Sequence, residues 1–363
     1  MHAFTRRTPL SLIGVVAFAC LVASACSGRA SGELRGRGAQ QKGFEGLYRI
    51  RKDGKTGFID RAGKVVIPPQ SDLKVPDYGT YPVFTEGLAQ IEVETDEPGP
   101  GTFSNKKKIG FIDTTGKVVI EPRILQGAYD FSEGVAAVSL NYHYGFIDKT
   151  GRVVIPIEWQ SARSFAEGLA AVGRDAQFGF IDKAGKAVIP LQFDGAQSFS
   201  EGLAAVIVNR GKVFIDKTGR VVLEPQVDDA QSFSEGMALI SVNGKRGFID
   251  KTGQVVIQPI YAVAQDFSDG MALVRVDGKV GYIDKTGAVV IKPQYELAFD
   301  FSEGLAPVKI GDSWGYIDKT GRVVIEPRFY SAYEFRGGLA SVTTSEGDGY
   351  IDKAGKYIWP PSK

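Results

Sequence analysis

Gly247-Phe248-Ile249-Asp250-Lys251-Thr252-Gly253-Gln254-Val255-Val256-Ile257-Gln258-Pro259 reads as two short strands around a tight turn, and its recurrence along the chain decides the architecture. Asp250 can accept hydrogen bonds from the backbone beyond it, and Gly253 supplies the left-handed residue such a turn needs. Side chains alternate along a strand, so Phe248 opposes Ile249, and Val255 with Ile257 opposes Val256; both faces of the sheet are therefore apolar. Pro259 is expected to stop the ladder. Upstream, Gly236 to Val242 reads as another strand, joined by Asn243-Gly244, a dipeptide favoured in hairpins because both positions take positive φ. Downstream, residues 260–268 read as a return loop or short helical turn, with Tyr261, Ala264 and Phe267 covering a sheet face.

The aspartate of this string recurs at Asp60, Asp113, Asp148, Asp182, Asp216, Asp250, Asp284, Asp318 and Asp352, with a period of 34 over the last seven. A second anchor, Glu-Gly followed by an apolar residue, recurs at Gly46, Gly87, Gly134, Gly168, Gly202, Gly236, Gly270, Gly304 and Gly338, with Asp269 and Gly337 replacing the glutamate in two units. A fixed period of this size marks a repeat protein whose units cover one another's apolar faces. About seven buried side chains at ~1.5 to 3 kcal/mol each do not offset ordering ~34 residues at roughly 1 to 2 kcal/mol each. A lone unit should not fold. Nine three-stranded antiparallel units over residues 44–363 are expected to form an open, elongated and twisted all-β solenoid. The alternative is a closed β-propeller, which three strands per unit and termini that respect unit boundaries argue against.

Trp314-Gly315-Tyr316-Ile317-Asp318, preceded by Gly304-Leu305-Ala306 and followed by Gly321 and Val324-Ile325-Glu326-Pro327, resembles the WG repeat of bacterial proteins. The other units keep most of the Gly, aromatic, Ile and Asp but lack the tryptophan, with Phe178, Arg246 or Val280 in its place, and Val213 replaces the glycine itself. The resemblance covers essentially all of residues 44–363. It implies a β-rich repeat class and carries no catalytic or ligand residues.

At the N-terminus, Arg6 and Arg7 precede an apolar run from Leu10 to Ala25, too short to span a bilayer comfortably but suited to a secretory signal over residues 1–25. It ends Ala23-Ser24-Ala25-Cys26, which resembles a lipobox, so Cys26 is the expected lipidation site. Ordinary signal cleavage, giving a periplasmic or secreted soluble product, is the alternative. Residues 26–43 then read as a flexible tether. The cysteines are Cys20 and Cys26, leaving the array without a disulfide or Cys-based metal site, and 43 Lys and Arg against 42 Asp and Glu give no electrostatic case for nucleic acid.

The two histidines, His2 and His143, cannot assemble a site from several ligands. Every recurrent carboxylate belongs to a repeat position, so no catalytic residue, metal site or cofactor is expected. The repeated aspartates are read as turn formers rather than a calcium ladder, and the aromatics Phe58, Phe111, Phe146, Phe180, Phe214, Phe248, Tyr282, Tyr316 and Tyr350 as core rather than sugar-stacking rings. A basic residue follows the aspartate in eight units, Lys251 and Lys285 among them. These could line an edge for an anionic glycan, or be offset by the nearby Glu-Gly carboxylates. Two insertions break the period: about seven residues around Ser71 to Val83, and about twelve within Glu92 to Lys108, where Glu92, Glu94, Asp96 and Glu97 come first and Lys106, Lys107 and Lys108 last. The expected function is a non-enzymatic envelope scaffold binding a protein, with glycan binding as the alternative and the lipid anchor as the sole membrane contact.

Overall fold

A computed structural model describes residues 46–71, 73–75, 84–98, 105–124 and 127–362; Cys26 and the segments read as a signal and a tether lie outside the described residues. Blade 6 shows the repeating pattern: strands Asp229–Ala230, Met237–Val242, Lys245–Asp250 and Val255–Tyr261, hydrogen-bonded in that order. Asn243 and Gly244 take φ of 48° and 72°, as the two-residue hairpin requires. Asp250 Oδ1 accepts from the Thr252 N–H at 2.8 Å, the Gln254 N–H at 3.1 Å and the Thr252 hydroxyl at 2.6 Å. That hydroxyl first, and the backbone donors after it, hold the Asp250 carboxyl below the usual carboxylate range.

Nine such antiparallel sheets close into a nine-bladed β-propeller, not the expected open solenoid. Three sequence readings gave way together. Pro259 does not end the outer strand, which passes through a bulge to pair Tyr261 with Arg246. The segment read as a return loop joins the edge of the following sheet, where Ala264 pairs with Val274. Most blades therefore have four strands. Blade 1 has three described strands, and blade 8 keeps only an isolated Ala298 to Val308 bridge in place of its first.

Closure follows from the two apolar faces of each blade. Nine buried clusters are distributed one to each seam between neighbours. At the seam between blades 6 and 7, Leu239, Phe248 and Ile257 meet Phe267, Val274 and Ile283. The repeated aromatic of one blade packs on the Phe that follows the first strand of the next, as Phe248 does on Phe267 at 4.8 Å between ring centroids. An open array would leave one face bare at each end. Here Tyr48, Ile50 and Ile59 of blade 1 pack on Leu339, Tyr350, Ile358 and Trp359 of blade 9. The Tyr48 hydroxyl lies 2.8 Å from the Gly337 carbonyl, Tyr350 donates to the Arg49 carbonyl at 2.8 Å, and Ser362 to the Arg51 carbonyl at 2.9 Å. Among the described residues the ring is closed by this packing and these hydrogen bonds, with no strand of one blade paired into the other's sheet.

Candidate interaction surfaces

The strand order gives the ring two unlike faces. One carries the Glu-Gly hairpins between first and second strands and the Asp-x-x-Gly hairpins between third and fourth. The other carries the second-to-third hairpins and the connections between blades.

On the first face seven of the nine seams are latched in the same way. Glu201 Oε2 accepts from the Gly236 N–H of the following blade at 3.0 Å and lies 3.0 Å from Lys251 Nζ of that blade. Counterparts are Glu86 with Lys149 at 3.2 Å, Glu133 with Lys183 at 3.3 Å, Glu167 with Lys217 at 3.1 Å, Glu235 with Lys285 at 3.2 Å, Asp269 with Lys319 at 2.7 Å and Glu303 with Lys353 at 3.2 Å. Ser200, Ser234, Ser268 and Ser302 add a second latch, each hydroxyl donating to the Phe carbonyl of the next blade at 2.6 to 2.9 Å. Lys251 and Lys285 thus stand in ion pairs, so this face presents alternating charges instead of a positive line.

Sequence reasoning weighed the nearby carboxylates but missed the latch. The signal was the offset of 50 residues from the acidic residue of one hairpin to the Lys two turns on, kept in six of the seven pairs, as in Glu201 and Lys251, and stretched to 63 from Glu86 to Lys149. The aspartates cap their own turns, and among the described residues no three His, Cys, Asp or Glu side chains form a metal-holding group. From Phe58 to Tyr316 the repeated aromatics are buried, as expected of core, while Tyr350 is half-buried at the closing seam.

The described parts of both insertions meet on the other face. The second lengthens the middle strands of blade 2 to Leu88–Pro98 and Asn105–Asp113, against five or six residues in the other blades. Its register sets Val93 opposite Lys108, Glu94 opposite Lys107 and Thr95 opposite Lys106, so the acidic segment is zipped against the basic one. Asp96 and Glu97 occupy the irregularity between the Thr95 and Pro98 pairings. The Glu92 N–H donates to the Lys74 carbonyl of the first insertion at 2.7 Å, and Leu73 and Val75 pack with Ile91. Glu92 and Lys108 are half-buried at the base of this hairpin. At ~3.4 Å per residue, several extra residues on each strand carry the hairpin roughly 15 Å beyond its neighbours.

This geometry defines a class: a closed, nine-bladed repeat propeller of the interaction-scaffold kind. The WG containing repeat matches residues 57–73, 109–142, 144–175, 178–212, 214–245, 247–279, 281–313 and 314–345, and the chain belongs to that family. No curated protein matches the sequence. Among solved structures, Hsv2 of Kluyveromyces lactis is 12% identical with a TM-score of 0.35, over 52% of this chain and 70% of that one. PorZ, a surface component of the type-IX secretion system of Porphyromonas gingivalis, is 12% identical with a TM-score of 0.33, over 89% of this chain and 52% of that one. The propeller assignment rests on the nine sheets and nine buried seams, not on these likenesses.

Proposed function

We propose that the chain is a non-enzymatic scaffold of the bacterial cell envelope, exported by residues 1–25, held at a membrane through lipidated Cys26, and binding a protein partner through the face that carries both insertions. The observation that carries this reading is the long hairpin of blade 2, braced at its base by the first insertion. Near-identical blades supply many weak equivalent contacts, which add avidity but cannot tell one partner from another. Discrimination needs an irregular feature, and this one has an acidic strand beside a basic strand. With Lys251 and Lys285 already paired, binding of an anionic glycan to the opposite face would have to displace the latch glutamates.

The test excises about twelve residues between Thr95 and Lys107 and closes the strands with a short turn. A partner first captured from envelope extract by the intact chain and identified should bind the folded deletion variant at least tenfold more weakly. Unchanged affinity sinks this reading, and a salt-dependent loss on combining Lys251→Glu with Lys285→Glu would instead favour the glycan. Anchoring is read separately: Cys26→Ser should abolish fatty-acid labelling, and equal labelling of both proteins refutes the anchor.

A further inference from the structure

Besides the seam from blade 1 to blade 2, where Thr114 stands in the place of the lysine, the latch on the first face is interrupted where the ring closes. At seven seams a carboxylate stands between a glycine N–H and a lysine of the next blade. At the seam from blade 9 to blade 1 the glutamate position is Gly337, while the partner groups persist: Gly46 opens blade 1 with the positive φ of its counterparts, 73°, and Arg61 stands in the place of the lysine. The Arg61 guanidinium lies across the blade 9 hairpin, so close to Gly338 that a β-carbon there would collide with it. Arg336 stands where five other blades have serine. Among the described residues the nearby latch carboxylate is Glu303, which is engaged by the Gly338 N–H at 3.1 Å and by Lys353 at 3.2 Å. Among the described residues Arg61 has no carboxylate partner. The turn itself is held ready, because Tyr48 pins the Arg336 and Gly337 carbonyls at 2.9 and 2.8 Å, and Gly337 keeps the φ of the glutamates it replaces, 58° against 53° at Glu303.

We propose that this seam is a docking site for an acidic side chain of a protein partner, which supplies the carboxylate that residue 337 does not. The ligand class follows from the other seams, where the group filling this position is a Glu or Asp side chain. Arginine in place of lysine suits the role, since its planar fork grips a carboxylate in two places where an ammonium is a point charge. The proposal extends the partner-binding reading to the opposite face of the ring, and its test uses neither the hairpin nor the captured partner, so either can fail alone.

Full-length protein is titrated with acetyl-glutamate amide, and with acetyl-glutamine amide at matched ionic strength, while the Gly46 amide and Arg61 Nε resonances are followed. Saturable shifts are expected for the glutamate probe only, with a dissociation constant on the order of 10 mM, as a single charge-assisted contact allows. Gly337→Glu should fill the position from within, abolish those shifts and raise the melting midpoint, and the rise should vanish when Arg61→Gln is added. Should Gly337→Glu fold poorly, Arg61→Gln alone must weaken the glutamate titration at least fivefold. Equal response to both probes, undiminished binding in Gly337→Glu, or binding that emerges only in Glu45→Gln, which would mean the chain's own glutamate competes for the position, each overturns the proposal.

Discussion

Gly281 shows how one missing β-carbon sets the reach of a strand. A β-carbon there would lie 2.5 Å from the Ile291 carbonyl oxygen and 2.6 Å from the Pro293 nitrogen, so the outer strand can cross the third strand at its bulge only over a glycine. Blade 5 carries the natural counter-example. Val213 stands at this position, and its outer strand stops after Val221–Leu223, whereas that of blade 7 runs Val289–Tyr295. Gly281→Val is therefore expected to cost about 1 to 3 kcal/mol, the usual range for overpacking, with the loss read from urea unfolding. Amide exchange should show protection lost from Lys292 to Tyr295, and retained protection would mean that something other than the glycine sets the strand's length.

Among the elements, the Glu-Gly hairpin decides whether a unit has three strands or four, and it is the element the sequence conceals. Glu201 and Gly202 both take positive φ, 54° and 88°, the conformation of a two-residue hairpin turn. Local rules expect Asn, Asp or Gly at the first position, because a longer side chain there costs of order 1 kcal/mol. Glutamate is kept for what its carboxylate reaches in the next blade, the Gly236 N–H and Lys251. Two opposed effects follow. Glu201→Ala keeps the backbone cost and loses the latch, and should destabilise by about 1 to 2 kcal/mol. Glu201→Gly loses the latch but relieves the backbone, and should cost measurably less. Paired thermal melts of the two variants decide the point; an alanine variant as stable as the glycine variant would show that the positive φ carries no penalty there.

At the scale of the whole ring, the last seams, the closing one included, carry tyrosines whose hydroxyls bond across to a neighbouring blade. Burial, reinforced by Glu303 at Tyr48, pushes the phenols of Tyr48, Tyr282, Tyr316 and Tyr350 above their ordinary value. An acid whose folded pKa is raised holds its proton longer in the folded state. Its contribution is thus complete below the unfolded value of about 10 and is lost as pH rises beyond it. The urea midpoint should accordingly stay level to about pH 9.5 and fall steeply above it. Tyr48→Phe, which removes the hydroxyl that holds the blade 9 turn, should lower the midpoint at neutral pH and make the alkaline fall shallower. An identical alkaline slope in that variant would remove Tyr48 from the account. Because Tyr48 stands where the other blades have alanine, as at Ala238 and Ala272, it marks the closing seam in the sequence itself.

The sequence by itself determined the repeat, its nine units, the Asn243-Gly244 and Asp250-to-Gly253 turns, the burial of the recurrent aromatics and the family, because these depend on local backbone chemistry and on periodicity. It also required that both faces of every sheet be covered. What covers them was a tertiary matter. The stretch from Tyr261 to Phe267 has too little local signal to show that it leaves one sheet for the edge of the next, and Pro259 looks like a stop unless the bulge opposite Gly247 is known. Open array or closed ring turns on the angle between successive blades, which seam packing sets over the whole circuit and no single unit encodes. The same holds for the surfaces. The charges of the blade 2 insertion were legible, but only the register pairs its acidic strand with its basic one, and only closure brings Arg61 to Gly338 across a separation of most of the chain.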